Sequence, residues 1–169
     1  MAIIYGKNKK ESDEFGVLEK LSQLNDDYHV LCDATITLLD YVKYNGKKDL
    51  GSAQMDYVII SKKGIVLILA KDWSAIFDNQ DVNPHKQTDR AGKVLWLSLK
   101  PLYNTENLHV TSVLLSTHPN IKYDPEYKHV LVSDLKKINH VFRNKGEIFS
   151  ERDVKRMVDR IKGYASTKN

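Results

Sequence analysis

Two apolar runs each carry one ionisable residue in a place where a charge is hard to keep. Asp56 interrupts Ala53-Gln54-Met55-Asp56-Tyr57-Val58-Ile59-Ile60, and Lys71 closes Gly64-Ile65-Val66-Leu67-Ile68-Leu69-Ala70-Lys71. Runs this rich in Val, Ile and Leu belong in a sheet core, where an ionised group is costly unless it is paired or at work. A tight Lys62-Lys63-Gly64 turn joins the two runs, so the carboxylate and the ammonium lie on neighbouring strands. Such a pair is either a structural salt bridge or part of a reactive centre.

The rest of the chain supplies the frame that holds this pair. Residues 12–24 carry Phe15, Val17, Leu18, Leu21 and Leu24 at helical spacing, with Ser12 as the expected N-cap. Residues 28–39 form a strand rich in β-branched side chains, and the polar, glycine-punctuated 40–51 is a loop or a loosely formed hairpin end. After an irregular stretch through Trp73 and Phe77, a helix is expected at 87–99, with Val94, Leu95 and Leu99 inward and Pro101 beyond its end. Strands follow at 109–116 and 129–132, separated by a turn-rich loop. Ser133 is expected to cap a helix over 134–143. Ser150 opens a last helix reaching Tyr164, with Val154, Met157, Val158 and Ile161 as its inner stripe. This order predicts an α/β fold, a central mixed β-sheet flanked by helices, built as one domain over residues 1–169.

Composition narrows the function classes. The 169 residues are 41% hydrophobic and 28% charged, as in an ordinary globular protein, and the net charge is +4. That mild basic excess permits contact with phosphates without demanding it. Cys32 is the single cysteine, which rules out an internal disulfide framework. The amino terminus lacks the apolar stretch of a signal peptide, and no later run reaches membrane-spanning length, so a cytoplasmic protein without membrane contact is expected. The six histidines are scattered without metal-ligand spacing, no Ser-His-Asp arrangement is recognisable, and no glycine-rich phosphate loop is present. Trp73 and Trp96 are expected to pack in the core or at its rim.

Several short patterns occur in a telling order. Glu14, Val17, Leu21 and Leu24 fit a helix of the form Gly-Glu-x-x-Val-x-x-x-Leu-x-x-Leu, with Asp13 in place of the glycine. Gln54-Met55-Asp56 precedes an apolar run; Gly64, Ile65, Leu67, Ile68 and Lys71 fit Gly-Ile-x-Val-Ile-Glu-x-Lys-Asn; and Asn83-Pro84-His85-Lys86-Gln87 fits Asn-Pro-x-x-Gln. Together they resemble the nuclease-related domain, a branch of the restriction-endonuclease-like PD-(D/E)XK fold.

The resemblance implies a site in which two carboxylates hold Mg²⁺ or Mn²⁺, the cation acidifies a water and polarises a phosphodiester, and a lysine orients that water. By that likeness Asp56 and Glu14 are metal ligands, Lys71 is the water-orienting group and Gln87 closes the site. Here the chain departs from the pattern: Leu69 stands where the second strand should carry its Glu, and Asp72 replaces the Asn. Residues two apart on a strand share a face, so Leu69 and Lys71 point the same way and Asp72 points to the other. A full site has three carboxylates and one ammonium; with Leu69 its charge falls from −2 to −1, and Asp56 can satisfy Lys71 without a metal. Cation binding is therefore expected to be weak, and cleavage weak or absent.

Each of these residues also has an ordinary reading. Glu14 fits the acidic first turn of a helix, and Gln87 fits a helix start. The basic residues Lys136, Lys137, Arg152, Lys155 and Arg156 are either a solvated surface or contacts to the backbone of DNA or RNA, which would be salt-dependent and independent of sequence. The competing functions are a metal-dependent endonuclease, a nucleic-acid-binding module that does not cut, and a protein-interaction module that self-associates.

Overall fold

A computed structural model describes residues 2–6, 16–44, 47–70, 83–103, 108–115, 123–142 and 146–164. Among the described residues the sheet has six strands in sequence order: β1 (Ile3–Tyr5), β2 (His29–Tyr44), β3 (Lys47–Ser61), β4 (Gly64–Ala70), β5 (Val110–Leu115) and β6 (Val130–Ser133). β1 runs parallel to β2, the β2–β3–β4 meander is antiparallel, and β5 and β6 are parallel to β4. This is the mixed sheet expected from the sequence. The helices among the described residues are α1 (Val17–Ser22), α2 (Pro84–Leu99) and α3 (Glu151–Lys162).

β4 is central, and its run Ile65–Leu69 is buried throughout, because both sheet faces are covered. Ile65, Leu67 and Leu69 pack on the face beneath α2 and α3, together with Val94, Leu95, Val154 and Met157. Val66 and Ile68 pack on the opposite face with Val17 and Leu21 of α1 and with Ile138 and Phe142. At the tight end of the hairpin, Ser61 pairs with Gly64 and the φ of Gly64 is 142°, a left-handed conformation open to glycine. The carbonyl of Lys62 there accepts the N–H groups of Ile148 (2.7 Å) and Phe149 (2.9 Å), which ties the segment before α3 to this turn.

Several elements differ from their sequence expectation for local reasons. The helix expected over 12–24 does not run unbroken, because Gly16 is left-handed (φ 71°) and stands at the N-cap of α1; the Ser12 cap lies outside the described residues. The polar 40–51 is largely strand, with β2 reaching Tyr44, β3 starting at Lys47, and an irregular register between Thr37 and Lys43. α2 begins at Pro84, before the expected 87. Asn83 Oδ1 accepts the N–H groups of His85 (3.0 Å) and Lys86 (3.2 Å), and a proline at the first helical position suits a start.

The helix expected over 134–143 is a turn followed by a 3₁₀ helix, Ile138–Phe142. Its turn is closed by Asp134 Oδ1 accepting Lys137 N–H (2.9 Å), so the capping side chain belongs to Asp134 and not to Ser133. β1, too short to stand out in sequence, is an addition. α3 matches its expectation: Ser150 and Asp153 form a reciprocal capping box, and Val154, Met157, Val158 and Ile161 are buried. The irregular stretch through Trp73 and Phe77 lies outside the described residues.

Candidate active site

The site is built around an interruption shared by two strands. Along β3, Val58 and Ile60 face α2 and α3 while Tyr57 and Ile59 face the other way; Met55, two residues from Tyr57, nevertheless faces α2 and α3. β2 behaves alike, with Leu31 on the α2–α3 face, Cys32 on the other, and Ala34 and Ile36 back on the first. One residue is inserted in each strand, Asp56 in β3 and Asp33 in β2. The register on either side is unchanged, running from Cys32 opposite Tyr57 to Ala34 opposite Met55. Asp33 has φ 53°, the left-handed conformation that Asp tolerates better than most residues. The insertions therefore reverse the facing of both strands without shifting their pairing.

At the same level β3 leaves β4. The last ladder pair is Tyr57 opposite Ile68, and one further antiparallel step would set Asp56 against Leu69. The Asp56 carboxylate instead replaces the ladder, its Oδ2 accepting the N–H of Ala70 at 2.8 Å. Asp56 thus reaches the residue immediately before Lys71 in the chain. Lys71 itself and Glu14 lie outside the described residues.

The separating strands leave a cavity of about 400 Å³ where β3 parts from β4, lined by Thr35, Ser52, Gln54, Leu69, Gln87 and Arg90 among others. Gln87 and Arg90 share one face of α2 at i, i+3 spacing. The helix is pressed onto the sheet at Gly92, where a Cβ would collide with Ser112 Oγ on β5. Leu69 and Gln87 thus meet at one cavity, with Asp56 a register step away. Leu69 is only 2% exposed and belongs to the core cluster under α2 and α3.

Mg²⁺ asks for octahedral oxygen ligands including carboxylate; among the described residues the cavity lining offers amides, hydroxyls, an isobutyl group and a guanidinium, with the Asp56 carboxylate a register step away and Glu14 outside the described residues. Among the described residues no three or more His, Cys, Asp or Glu side chains gather at metal-binding spacing. Away from the cavity, titratable groups among the described residues have shifted values. At the start of β2, burial lowers His29, whose Nδ1 is 3.0 Å from Tyr5 Oη; burial, then Asp159, raises Tyr5.

The basic residues divide between the two faces. Lys136 and Lys137 precede the 3₁₀ helix that packs with α1, while Arg152, Lys155 and Arg156 are exposed on α3, across the sheet. Only the α3 group lies on the side of the sheet that α2 covers, and Glu151 and Asp159 are exposed beside it. Trp96 packs at the rim as expected, its Nε1 donating to the carbonyl of Leu108 at 2.8 Å.

Sequence reasoning missed Asp33 and Arg90, and used Gln54 only as part of the pattern around Asp56. The signal for Asp33 was the one that exposed Asp56: an acid inside an apolar run, here Val30-Leu31-Cys32-Asp33-Ala34. Arg90 was findable as the residue three after Gln87 once a helix was placed there. Among the described residues no helix is long and apolar enough to cross a membrane. No curated protein and no solved structure is similar enough to this chain to count as a match. Residues 9–117, more than half of the chain and the part holding Asp33, Asp56, Leu69, Gln87 and Arg90, match the family model described as nuclease-related domain, and the chain belongs to that family.

Proposed function

We propose that this nuclease-related domain is a degenerate nuclease that engages the sugar-phosphate backbone of DNA or RNA and cleaves it weakly or not at all. The observation that supports this reading is Leu69, an apolar core side chain facing Gln87 at the place where the family pattern calls for a second carboxylate. Asp56 keeps a structural task, satisfying the Ala70 N–H where the ladder ends. Under this reading Mg²⁺ or Mn²⁺ binds weakly, and Lys71 and Glu14 are relics of the cleavage centre.

The test is plasmid nicking with Mg²⁺, Mn²⁺ or EDTA, alongside a gel shift on the same DNA. The expected result is a salt-sensitive shift with little or no nicking in any condition. Rapid nicking that EDTA abolishes and Lys71→Ala removes would show an intact enzyme and overturn the proposal.

A further inference from the structure

β2 and β3 are far longer than the part of the sheet that flanks them. They run for 16 and 15 residues, yet β1 pairs with β2 only over His29–Leu31, and β4 pairs with β3 only over Tyr57–Ser61. Past the level of Asp33 and Asp56, among the described residues, the two strands pair with each other alone, out to Tyr44 opposite Lys47. This ribbon continues beyond the last β3–β4 pair, Tyr57 opposite Ile68, so it projects past the C-terminal ends of β4, β5 and β6. From Thr35 to Tyr44 it is roughly 30 Å long at the rise of an extended strand.

The ribbon carries two kinds of chemistry. At its root Ala34, Ile36, Met55 and Ala53 pack beneath α2 and α3, so the residues that alternate with them face away from those helices. These are Thr35 opposite Gln54 and Thr37 opposite Ser52, all four exposed, a patch of hydroxyls and an amide able to donate and accept. Lys136 and Lys137 are exposed on that same side of the sheet. At the tip Lys43 stands opposite Lys48, and Tyr44 opposite Lys47. Residues 43–48 hold these three lysines and no acid, with Asp40 and Asp49 just outside.

Like charges directly across a strand pair destabilise it unless an anion meets them. Lysines on an unpaired edge also oppose pairing with a second copy of the same strand. The tip therefore suits a polyanion better than another protomer. A two-stranded ribbon alone in water is marginal, and the major groove of B-form DNA, about 12 Å wide, admits one. The major groove of A-form RNA is too narrow for it.

From this arrangement we infer that the β2–β3 ribbon is a groove-binding arm. It lies in the major groove of duplex DNA, with Lys43, Lys47 and Lys48 at phosphates along the groove and the Thr37, Ser52 and Gln54 side chains at base edges. This deepens the nucleic-acid reading above and rests on it, and it uses a part of the chain that the candidate centre does not.

The test is fluorescence anisotropy of a labelled B-form duplex with the full chain across a salt series. Lys43→Gln/Lys47→Gln/Lys48→Gln should weaken binding at least tenfold and lower the slope of log affinity against log salt by about two to three. Its melting temperature should not fall, since the substitutions remove a like-charge pair. Gln54→Ala should keep that slope and change the ranking of duplex sequences; an unchanged ranking would overturn the base contact. Methyl green, a major-groove ligand, should displace the protein and netropsin, a minor-groove ligand, should not; the reverse would overturn the groove assignment. Equal affinity for duplex RNA would do the same. Unchanged affinity and slope in the folded triple-lysine variant, with loss in Arg152→Gln/Arg156→Gln, would overturn the arm and keep the nucleic-acid reading. No binding to any duplex or single strand at low salt would overturn both. A dimer in sedimentation that the triple-lysine variant breaks would assign the ribbon to a second copy and overturn the proposal.

Discussion

The two ends of the β3–β4 hairpin are built from similar residues and behave differently. At one end the ladder runs unbroken through Ile60 opposite Ile65 to a two-residue turn, and the carbonyl of Lys62 is capped by two backbone N–H groups. At the other the ladder stops at Tyr57 and Ile68, and a carboxylate takes over the next N–H. The closed end is a continuous apolar core. The open end has a polar cavity in contact with the same core. Asp33 and Asp56 mark the level where the change occurs: side-chain facing reverses there in two adjacent strands while the register is kept.

The sharpest contrast is expected from the same substitution at two positions on one face of β4. Leu67→Glu buries a carboxylate in a fully enclosed position, and loss of the native fold is the expected outcome in urea or thermal unfolding. Leu69→Glu places its carboxylate in the cavity lined by Arg90, Gln54 and Gln87, and the protein should stay folded. Equal damage at the two positions would erase the distinction between the ends. Next, Asp56→Ala should cost about 1.5–3 kcal/mol in urea titrations, the scale of a hydrogen bond to a charged group. Asp56→Asn, which keeps an acceptor for Ala70 N–H, should cost less than half of that.

Asp33 offers a test in which local propensity and observed geometry disagree. Val is the better strand former, yet Asp33→Val should destabilise by about 1–2 kcal/mol because a β-branched residue is poorly suited to φ 53°, whereas Asp33→Asn should be nearly neutral. A stabilised Val variant would mean that β2 is regular there. The smallest effect concerns His29 at the start of the paired segment. Burial lowers its value in the folded state, so between that value and the ordinary 6.5 the unfolded chain binds more protons. Stability should therefore fall as pH drops through this window and level off below it, and His29→Gln should flatten that slope.

Much of the fold was legible because its signals are periodic. The apolar run of β4, the stripe of α3 and the Ser150 cap each carry several residues that agree, and the mixed sheet with its helices follows from their order. The errors fell where one residue overrides a pattern: Gly16 breaking a helical period, Asn83 moving a helix start, Asp134 closing a turn in place of a cap. For the candidate site, Asp56 and Leu69 were visible as residue types out of place. The double insertion was not, because a bulge keeps the strand composition while reversing which residues face the core. Nor could sequence alone divide the basic residues, since Lys137 and Arg152 are near in the chain and lie on opposite faces of the sheet.

The most direct measurement is plasmid nicking by folded Leu69→Glu with Mg²⁺, compared with the parent chain under identical conditions. Restoring the missing carboxylate beside Asp56 should create cleavage that EDTA abolishes and that the parent lacks. A folded Leu69→Glu protein no more active than its parent, with or without the metal, would contradict the claim that Leu69 fills the place of a lost metal ligand.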